Sequence, residues 1–329
     1  MVSSWLAVIL MTLSSAGAEQ CDADVATLLQ TSTSHKQSSS VAIDSGCPLP
    51  DHGKWCTVKV PGAEPFQMAV YASNDIVSHS ICDSGQWESN IIDTADLGVP
   101  GHAVDIGGNI GYFTFVLAHA GWNVTTFEPL DKNVQLMQAT LCQNPGMKRK
   151  VNLHQVGLGA HPDECQLISH VTNMGDGVVR CGEEAKKEVP LNHAVRQSFQ
   201  VKRLDDMLSP ELVPKVDFLK IDVEGFECQV FAGGKKVLEV YKPRRLATEV
   251  WAEMQGCEPA NYFKMFLKKG YKIASDQACK HSDTEVPRVG GRKNFWICRN
   301  VEDRFTLLQA GSNPISPLQK HRVLFKLDD

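Results

Sequence analysis

The sequence predicts an α/β fold with a mostly parallel sheet, because two stretches share the same pattern of apolar strand, turn and helix. Residues 103–129 contain a short apolar strand, a glycine-rich turn, an apolar helix and a second strand that ends at Glu128. Residues 216–227 contain another apolar strand, which ends at Asp222 and Glu224, and a helix is predicted to follow near residues 228–238. Apolar runs without polar alternation are typical of parallel strands covered on both faces. Such sheets bind ligands at the carboxyl ends of their strands, so both stretches predict a binding site.

The turn at residues 107–111 indicates which kind of ligand to expect. Its glycines let the backbone adopt unusual φ values and approach a ligand closely. The dinucleotide fingerprint G-x-G-x-x-G requires a glycine where this chain has Asn109, which argues against an NAD-dependent oxidoreductase. The pattern present is D-x-G-x-x-x-G, from Asp105 to Gly111, with Glu128 at the end of the next strand. A turn that serves only the chain topology is the competing interpretation, but it does not explain why Asp105 and Glu128 accompany the turn.

Composition narrows the class of protein. With 329 residues, 43% of them hydrophobic, the chain can bury one large core and an extension. The net charge of −5 predicts no basic field for nucleic acid or an anionic membrane. Two small basic clusters, at residues 235–236 and 242–245, are interpreted as solvated faces.

The first 18 residues predict a secretory signal peptide. An apolar run from Trp5 to Leu13 precedes an A-x-A sequence that ends at Ala18. The run is too short to span a bilayer, so no stable membrane insertion is expected once the signal is removed. Eleven cysteines fit the oxidising compartment that a signal peptide implies, and we expect a secretory or extracellular location.

The cysteine spacings predict disulfides and no metal site. The sequence contains no C-x-x-C, and the spacings match no metal-binding pattern. Cys142 and Cys228 lie in apolar contexts and are predicted to be buried free thiols. Pairing is plausible within two sets, namely Cys47, Cys56 and Cys82, and Cys257, Cys279 and Cys298.

We predict five parts along the chain. A signal peptide (1–18) and a Ser/Thr-rich flexible leader (19–46) precede a small β/α extension (47–100), with strands near 57–60, 66–71 and 75–81 and a helical segment near 85–92. A cofactor-binding domain (101–299) and a surface tail (300–329) follow. Within the domain, the weakly patterned residues 160–195 suit a substrate-facing insertion or an antiparallel hairpin.

Several segments together resemble the FkbM family of S-adenosylmethionine (SAM)-dependent methyltransferases. They are V-D-I-G-G-N-I-G-Y-F-T with F-E-P, V-K-R-L-D-D-M-L, D-F-L-K-I-D-V-E-G-F-E-C-Q-V-F-A-G-G and T-E-V. The resemblance runs from about Val70 to Cys298. It implies a Rossmann-like class I methyltransferase sheet of seven strands, the last antiparallel, and O-methylation of a hydroxyl on a sugar, lipid or other small-molecule acceptor. A glycan acceptor is included, and nucleic acid is not.

The candidate site residues follow from the motifs and from this resemblance. Glu128 would hold the ribose hydroxyls, because a carboxylate can accept two hydroxyl hydrogen bonds. Glu224 is the leading candidate for the catalytic base, followed by Asp222 and Glu249, because all three carboxylates are predicted at one edge of the sheet. We expect SAM to contact Asp105, Gly107, Gly108, Asn109, Gly111, Tyr112, Glu128, Gly157, Leu158 and Asp222.

Three alternatives remain open at this stage. The carboxylates could bind a divalent metal through their oxygens. Asp222 and Glu224 could instead only cap the next helix. The chain could also be a secreted, non-catalytic binding protein with a SAM-binding fold, because SAM is made in the cytosol and a secreted enzyme would need it imported.

Overall fold

The computed structural model describes residues 43–73, 75–88, 92–94, 97–171 and 177–299. The predicted signal peptide, the predicted tail and nearly all of the predicted leader lie outside these residues. No helix within the described ranges is both long enough and apolar enough to span a bilayer.

Strands of the described residues form three sheets. In chain order they are β1 (Gly53–Val58), β2 (Phe66–Tyr71), β3 (His102–Ile106), β4 (Asn123–Phe127), β5 (Val151–His154), β6 (Gly157–Leu158), β7 (Asp163–His170), β8 (Gly177–Cys181), β9 (His193–Lys202), β10 (Phe218–Ile221), β11 (Arg245–Trp251), β12 (Tyr271–Ala274), β13 (Ser282–Asp283) and β14 (Arg292–Arg299).

The helices are mostly short. They are α1 (Ile76–Ser84), α2 (Tyr112–His119), α3 (Asp131–Gln143), α4 (Pro145–Lys148), α5 (Gly182–Ala185), α6 (Leu204–Met207), α7 (Glu227–Ala232) and α8 (Pro259–Leu267), with a π-helical turn at Val237–Tyr241. The helix predicted near residues 228–238 is therefore two separate pieces, α7 and the π-helical turn.

The largest sheet confirms the predicted class I methyltransferase architecture. Its strand order is β13-β12-β14-β11-β10-β3-β4-β5. β3, β4, β5, β10 and β11 run parallel, and β14 inserts antiparallel between β11 and β12. The two-residue β13 adds an edge strand to the predicted seven. Two clusters of buried apolar side chains form the core of this fold. The central strands contribute many of these residues, as their apolar sequences predict.

The N-terminal extension differs from the prediction in one element. β1 and β2 form an antiparallel pair, but residues 76–84, predicted in part as a strand, form helix α1. The Asp75 side chain caps the helix by accepting a hydrogen bond from the Ser78 N–H at 2.7 Å. Gly85, at φ 82°, ends it, so residues 85–88 do not form the predicted helix. Val77 and Ile81 are both buried, at the i, i+4 spacing of one helix face.

The region with weak sequence pattern forms a second sheet in the order β6-β9-β7-β8. β7 pairs antiparallel with both β8 and β9, which confirms the predicted hairpin. Gln255, which follows β11, donates from Nε2 to the Val179 carbonyl at 3.0 Å. This contact links the edge strand β8 to the main sheet.

Five disulfides join cysteines in the described residues. Cys142 and Cys228 are not free thiols, because each is bonded to a cysteine that is distant in sequence. The sequence context of a cysteine reports burial but not which thiol the fold brings beside it. The pairs are Cys47–Cys142, Cys56–Cys82, Cys165–Cys181, Cys228–Cys257 and Cys279–Cys298.

We expect Cys47→Ser to lower the free energy of unfolding by about 2–4 kcal/mol, a typical contribution of a native disulfide. The Cys47–Cys142 bond closes the longest loop of the five, with a sequence separation of 95, and ties the extension to α3. Urea unfolding under oxidising conditions measures the change. Cys279→Ser, which opens a loop with a separation of 19, should have a smaller effect. Equal stability of the Cys47→Ser variant and the wild type would contradict this expectation.

Candidate active site

The turn between β3 and α2 is shaped by glycines that no other residue could replace without movement. Gly107 has a φ of 79°, and a Cβ there would lie 1.9 Å from the Asp222 carbonyl oxygen. A Cβ on Gly108 would lie 2.5 Å from Thr126 Oγ1. The N–H groups of Gly107 and Gly108 both donate to the Phe127 carbonyl at 3.0 Å. The turn is thus held against both β4 and the end of β10.

Glu128 lies at the end of β4 and is held by three donors. Its Oε2 accepts from the Asn109 N–H at 2.8 Å. Its Oε1 accepts from the Leu130 N–H at 3.0 Å and from Asn133 Nδ2 at 3.1 Å. Burial raises the pKa of Glu128 to about 7, although these hydrogen bonds and Lys220 act in the opposite direction. A carboxylate has about four acceptor positions, so one remains for a ligand hydroxyl.

Asn133 also connects Glu128 to the N-terminal extension. The Tyr71 hydroxyl donates to Asn133 Oδ1 at 2.6 Å. Burial raises the pKa of Tyr71, with Glu128 and Asp75 adding to the effect, so the hydroxyl stays protonated and donates. The extension therefore contributes directly to the site, which the sequence analysis did not predict.

A buried lysine joins the two motifs. Lys220 Nζ donates to the Gly107 carbonyl at 2.8 Å and lies 3.4 Å from Asp105 Oδ1 and 3.6 Å from Asp222 Oδ2. Burial alone would lower the pKa of Lys220, but Asp105 and Asp222 more than offset this and raise it. Asp105 also accepts from Thr114 Oγ1 at 2.6 Å. No motif in the sequence marks Lys220, because a lysine inside an apolar strand carries no pattern of its own.

The three predicted base candidates have different surroundings. Asp222 is 35% exposed, and its Oδ1 is buried without a hydrogen-bond partner. Glu224, at φ 56°, forms a hydrogen-bonded ion pair with Arg292. Glu249 Oε2 accepts from Arg292 Nε at 2.7 Å and from Trp251 Nε1 at 2.9 Å. The guanidinium of Arg292 also lies 4.7 Å from the centre of the Trp251 ring.

An open cleft lies beside these groups, with about 840 Å³ of empty space that includes open solvent at its mouth. Gly107, Asn109, Glu128, Asp222 and Glu224 line it, together with Leu167, Val179 and Phe199 from the second sheet and Tyr71 from the extension. The second sheet therefore forms one wall of the cleft, where the sequence predicted a substrate-facing insertion.

The other predicted site residues lie around this cleft rather than on its wall. Asp105 and Gly111 support the turn from below, with Asp105 fully buried. Gly157 and Leu158 line an adjoining apolar cavity, which shares Gly107 and Val223 with the cleft. Tyr112 is buried at the start of α2, and Glu249 faces Arg292. The order of residues in the sequence does not show which of them line the cleft and which lie behind its lining.

Glu88 is a further acid that the sequence analysis did not predict. Its pKa is raised, first by burial and then by the nearby charges of Asp222 and Glu249. Glu88 belongs to the N-terminal extension, lies near Asp222 and Glu249, and has a backbone φ of 40°. Among the described residues, the acids here outnumber the cations, a setting that favours a positively charged ligand group. The acids are Glu88, Asp222, Glu224 and Glu249, and the cations are Lys220 and Arg292.

Among the described residues, no group of metal-ligating side chains converges at the cleft. In the part of the chain that the structure describes, the group close enough to hold an ion is Asp163, Cys165 and Cys181. Cys165 and Cys181 are joined in a disulfide, so their sulfurs are not available as thiolate ligands.

Buried Glu227 predicts a pH dependence of stability. Its Oε1 accepts from the Val223 and Gly225 N–H groups at 3.1 and 3.3 Å, and its Oε2 is buried without a partner. Burial raises its pKa from 4.5 to about 7. A raised carboxyl pKa contributes stability that is complete below about pH 4.5 and is lost as the pH rises through about 7.

Glu227→Gln should therefore gain stability relative to wild type as the pH rises, by about 1–3 kcal/mol between pH 4.5 and 8. The amide keeps the oxygen that accepts both N–H groups and has no charge to bury. Urea unfolding at several pH values measures this difference. An identical pH dependence in the two proteins would refute it. Glu128 has a pKa shifted in the same direction, so some pH dependence should persist in the variant.

The strand order, the antiparallel β14 and a cleft at the carboxyl ends of β3, β4 and β10 define a Rossmann-like class I methyltransferase fold. Residues 105–273 match the methyltransferase FkbM domain. The chain belongs to this family.

The names of two curated relatives agree with this family assignment. "Methyltransferase 1" of Beauveria bassiana (strain ARSEF 2860) is 31% identical over 145 residues, 40% of this chain and 57% of that protein. "Methyltransferase sdnD" of Sordaria araneosa is 27% identical over 240 residues, 65% of this chain and 90% of that protein. The chain thus spans little more than half the length of the first relative.

Similar solved structures are distant. A SAM-dependent methyltransferase from Agrobacterium tumefaciens has 10% identity and a TM-score of 0.38, covering 75% of this chain and 70% of that one. The 16S rRNA N2 G1207 methyltransferase of T. thermophilus has 14% identity and a TM-score of 0.35, covering 77% and 52%. At these scores the likeness adds nothing to the family assignment.

Proposed function

We propose that this protein is a SAM-dependent O-methyltransferase that acts on a hydroxyl of a sugar, lipid or other small-molecule acceptor. The observation that carries the proposal is the meeting of the Gly107 turn, Glu128 and Asp222 in one cleft. Membership of the FkbM family supports methyl transfer, and SAM supplies an electrophilic methyl group on a positively charged sulfur.

The described residues fit this cofactor. Glu128 has an acceptor position left for a ribose hydroxyl, and the missing Cβ of Gly107 leaves the turn open to close approach. Asp222 and Glu224 give the cleft an acidic wall, which suits a sulfonium cation. The adjoining apolar cavity, with Gly157 and Leu158, suits a flat aromatic group.

Asp222 is the best-placed proton acceptor. A neutral hydroxyl must lose its proton as it attacks, and the accepting oxygen must be free to receive it. Asp222 lines the cleft with its side chain 35% exposed, and its Oδ2 lies 3.6 Å from Lys220 Nζ, whereas Arg292 hydrogen-bonds directly to both Glu224 and Glu249. The geometry therefore favours Asp222 over Glu224, the leading sequence-based candidate. Arg292, Glu224 and Glu249 form a bridge that holds the loop after β10 against β11 and β14.

We also propose a location in the secretory pathway or outside the cell. Five disulfides in the described residues support it, since structural disulfides persist in oxidising compartments. Retention of the protein in the cytosol in a fractionation experiment would count against this proposal.

Calorimetric titration of the full chain tests the cofactor. We expect SAM to bind and NAD not to bind. Glu128→Ala should weaken SAM binding by about tenfold to a hundredfold, because hydrogen bonds to a charged group are worth about 1.5–3 kcal/mol. Glu211→Ala, an exposed acid outside the cleft, is the matched control and should bind SAM normally. A folded wild-type protein that does not bind SAM would refute the proposal and favour a non-catalytic protein.

A further inference from the structure

Exposed cations collect at one edge of the main sheet. β3, β4, β5, β10, β11 and β12 all begin at this edge, and β14 ends there, as the strand registers show. We call the turns at these strand ends the amino edge. It lies opposite the candidate active site, which opens at the carboxyl ends of the strands. Its exposed cations include Lys148, Arg149, Lys215, Lys242, Lys268 and Arg299.

Acids at the amino edge offset only part of this charge. Buried Asp217 pairs with Lys215 at 2.5 Å and with Arg244 at 3.7 Å. Glu239 pairs with Lys269 at 3.1 Å, and exposed Glu211 precedes Leu212 in the turn before β10. The cations from separate turns lie along seven neighbouring strands, a span of about 30 Å at about 4.8 Å per strand. The field of this edge acts within a Debye length of about 8–10 Å, so the net charge of the whole chain does not cancel it.

Large apolar side chains project from the same turns. Val99 is 82% exposed, Leu212 is 77% exposed and Val240 is 55% exposed. They precede β3, β10 and β11 respectively, and Leu212 and Val240 lie close in sequence to Lys215 and Lys242. Isolated exposed apolar residues are ordinary, but here three of them share one edge with a row of cations.

We propose that the amino edge docks this protein onto an anionic lipid surface. Lysine and arginine side chains would face the acidic headgroups, while Val99, Leu212 and Val240 enter the interfacial region. Electrostatic attraction combined with burial of apolar side chains is how peripheral proteins bind such surfaces. At the location proposed above, the acidic headgroups must belong to the leaflet that faces the lumen or the outside of the cell. A soluble polyanion such as RNA would need the cations but would give the three apolar side chains no role.

Docking in this orientation has a consequence for the acceptor. Strands of four or five residues separate the two edges by about 15 Å, at about 3.3 Å per residue. The cleft would face away from the membrane and open to the aqueous phase. An acceptor would then arrive from solution.

Vesicle sedimentation of the full chain tests the proposal, with phosphatidylcholine vesicles that contain or lack phosphatidylserine. We expect binding only to the vesicles that contain phosphatidylserine, and release as salt is raised. Lys148→Glu with Arg149→Glu should weaken binding by at least about tenfold, given the contribution of each basic residue near such a surface. Val99→Ser with Leu212→Ser should also weaken binding, and this loss should persist at every salt concentration at which wild type still binds.

Lys132→Glu with Lys280→Glu is the matched control, because it makes the same charge change after β4 and β12, at the carboxyl edge. It should bind vesicles like the wild type, and thermal unfolding should confirm that every variant is folded. No binding to phosphatidylserine, or an equal loss in the control, would overturn the proposal. Vesicle binding that is indifferent to Val99→Ser with Leu212→Ser, together with tight binding of single-stranded RNA, would overturn it in favour of a soluble polyanion.

Discussion

Lys220→Met is expected to lower the free energy of unfolding by about 3–5 kcal/mol, the usual range when one partner of a buried ion pair is removed. Lys220 lies between Asp105 and Asp222, and Asp105 is fully buried. Without the lysine, the Asp105 carboxylate keeps the Thr114 hydrogen bond but loses the cation that lies 3.4 Å from its Oδ1. The Gly107 carbonyl loses a donor as well. Urea unfolding monitored by circular dichroism measures the change.

A double variant separates the contribution of charge to stability from that of packing. Lys220→Met with Asp105→Asn removes both charges and should recover part of the stability, since the uncompensated carboxylate is gone. Lys235→Met, at an exposed position, is the matched control and should change stability by less than about 0.5 kcal/mol. A Lys220→Met variant as stable as the control would show that the buried pair does not contribute as described.

Asp222→Asn should reduce methyl transfer by about 10²–10⁴-fold, the usual contribution of a positioned general base. The amide is similar in size to the carboxylate, so the loss of affinity for SAM should be limited to the attraction of one acid for the sulfonium cation. Product formation from SAM, measured with a hydroxyl-bearing acceptor, gives the rate, and calorimetry gives the affinity for SAM. A loss of rate that greatly exceeds the loss of affinity is the pattern expected of a group that acts on the acceptor.

Glu224→Gln is the comparison for Asp222→Asn. Glu224 is engaged by Arg292, so its substitution should disturb the bridge to Glu249 and have a smaller effect on rate. Glu249→Gln should resemble Glu224→Gln, because both weaken the same bridge. If the rate of methyl transfer fell further in Glu224→Gln than in Asp222→Asn, Glu224 would be the catalytic base, as predicted from the sequence.

Local patterns in the sequence predicted the parts of the site that neighbouring residues determine. The turn at Gly107 and the acid at Glu128 follow from glycine spacing and from a strand of known length, and the structure places both in one cleft. The misassigned α1 shows the limit of such patterns. Short apolar stretches fit a strand or a helix equally well. Here the Asp75 cap and the burial of Val77 and Ile81 on one face stabilise the helix.

The sequence alone thus determined the fold class, the glycine turn and the carboxylates at the strand ends, because steric freedom and apolar periodicity are properties of adjacent residues. Which charged side chains come together depends on the tertiary fold. Lys220 faces Asp105 because β10 pairs with β3, and Arg292 reaches Glu224 and Glu249 because β14 runs back beside β11. The cations of the amino edge likewise come from turns far apart in sequence. Electrostatic and hydrogen-bonding interactions depend on distance in space, and strand order sets that distance.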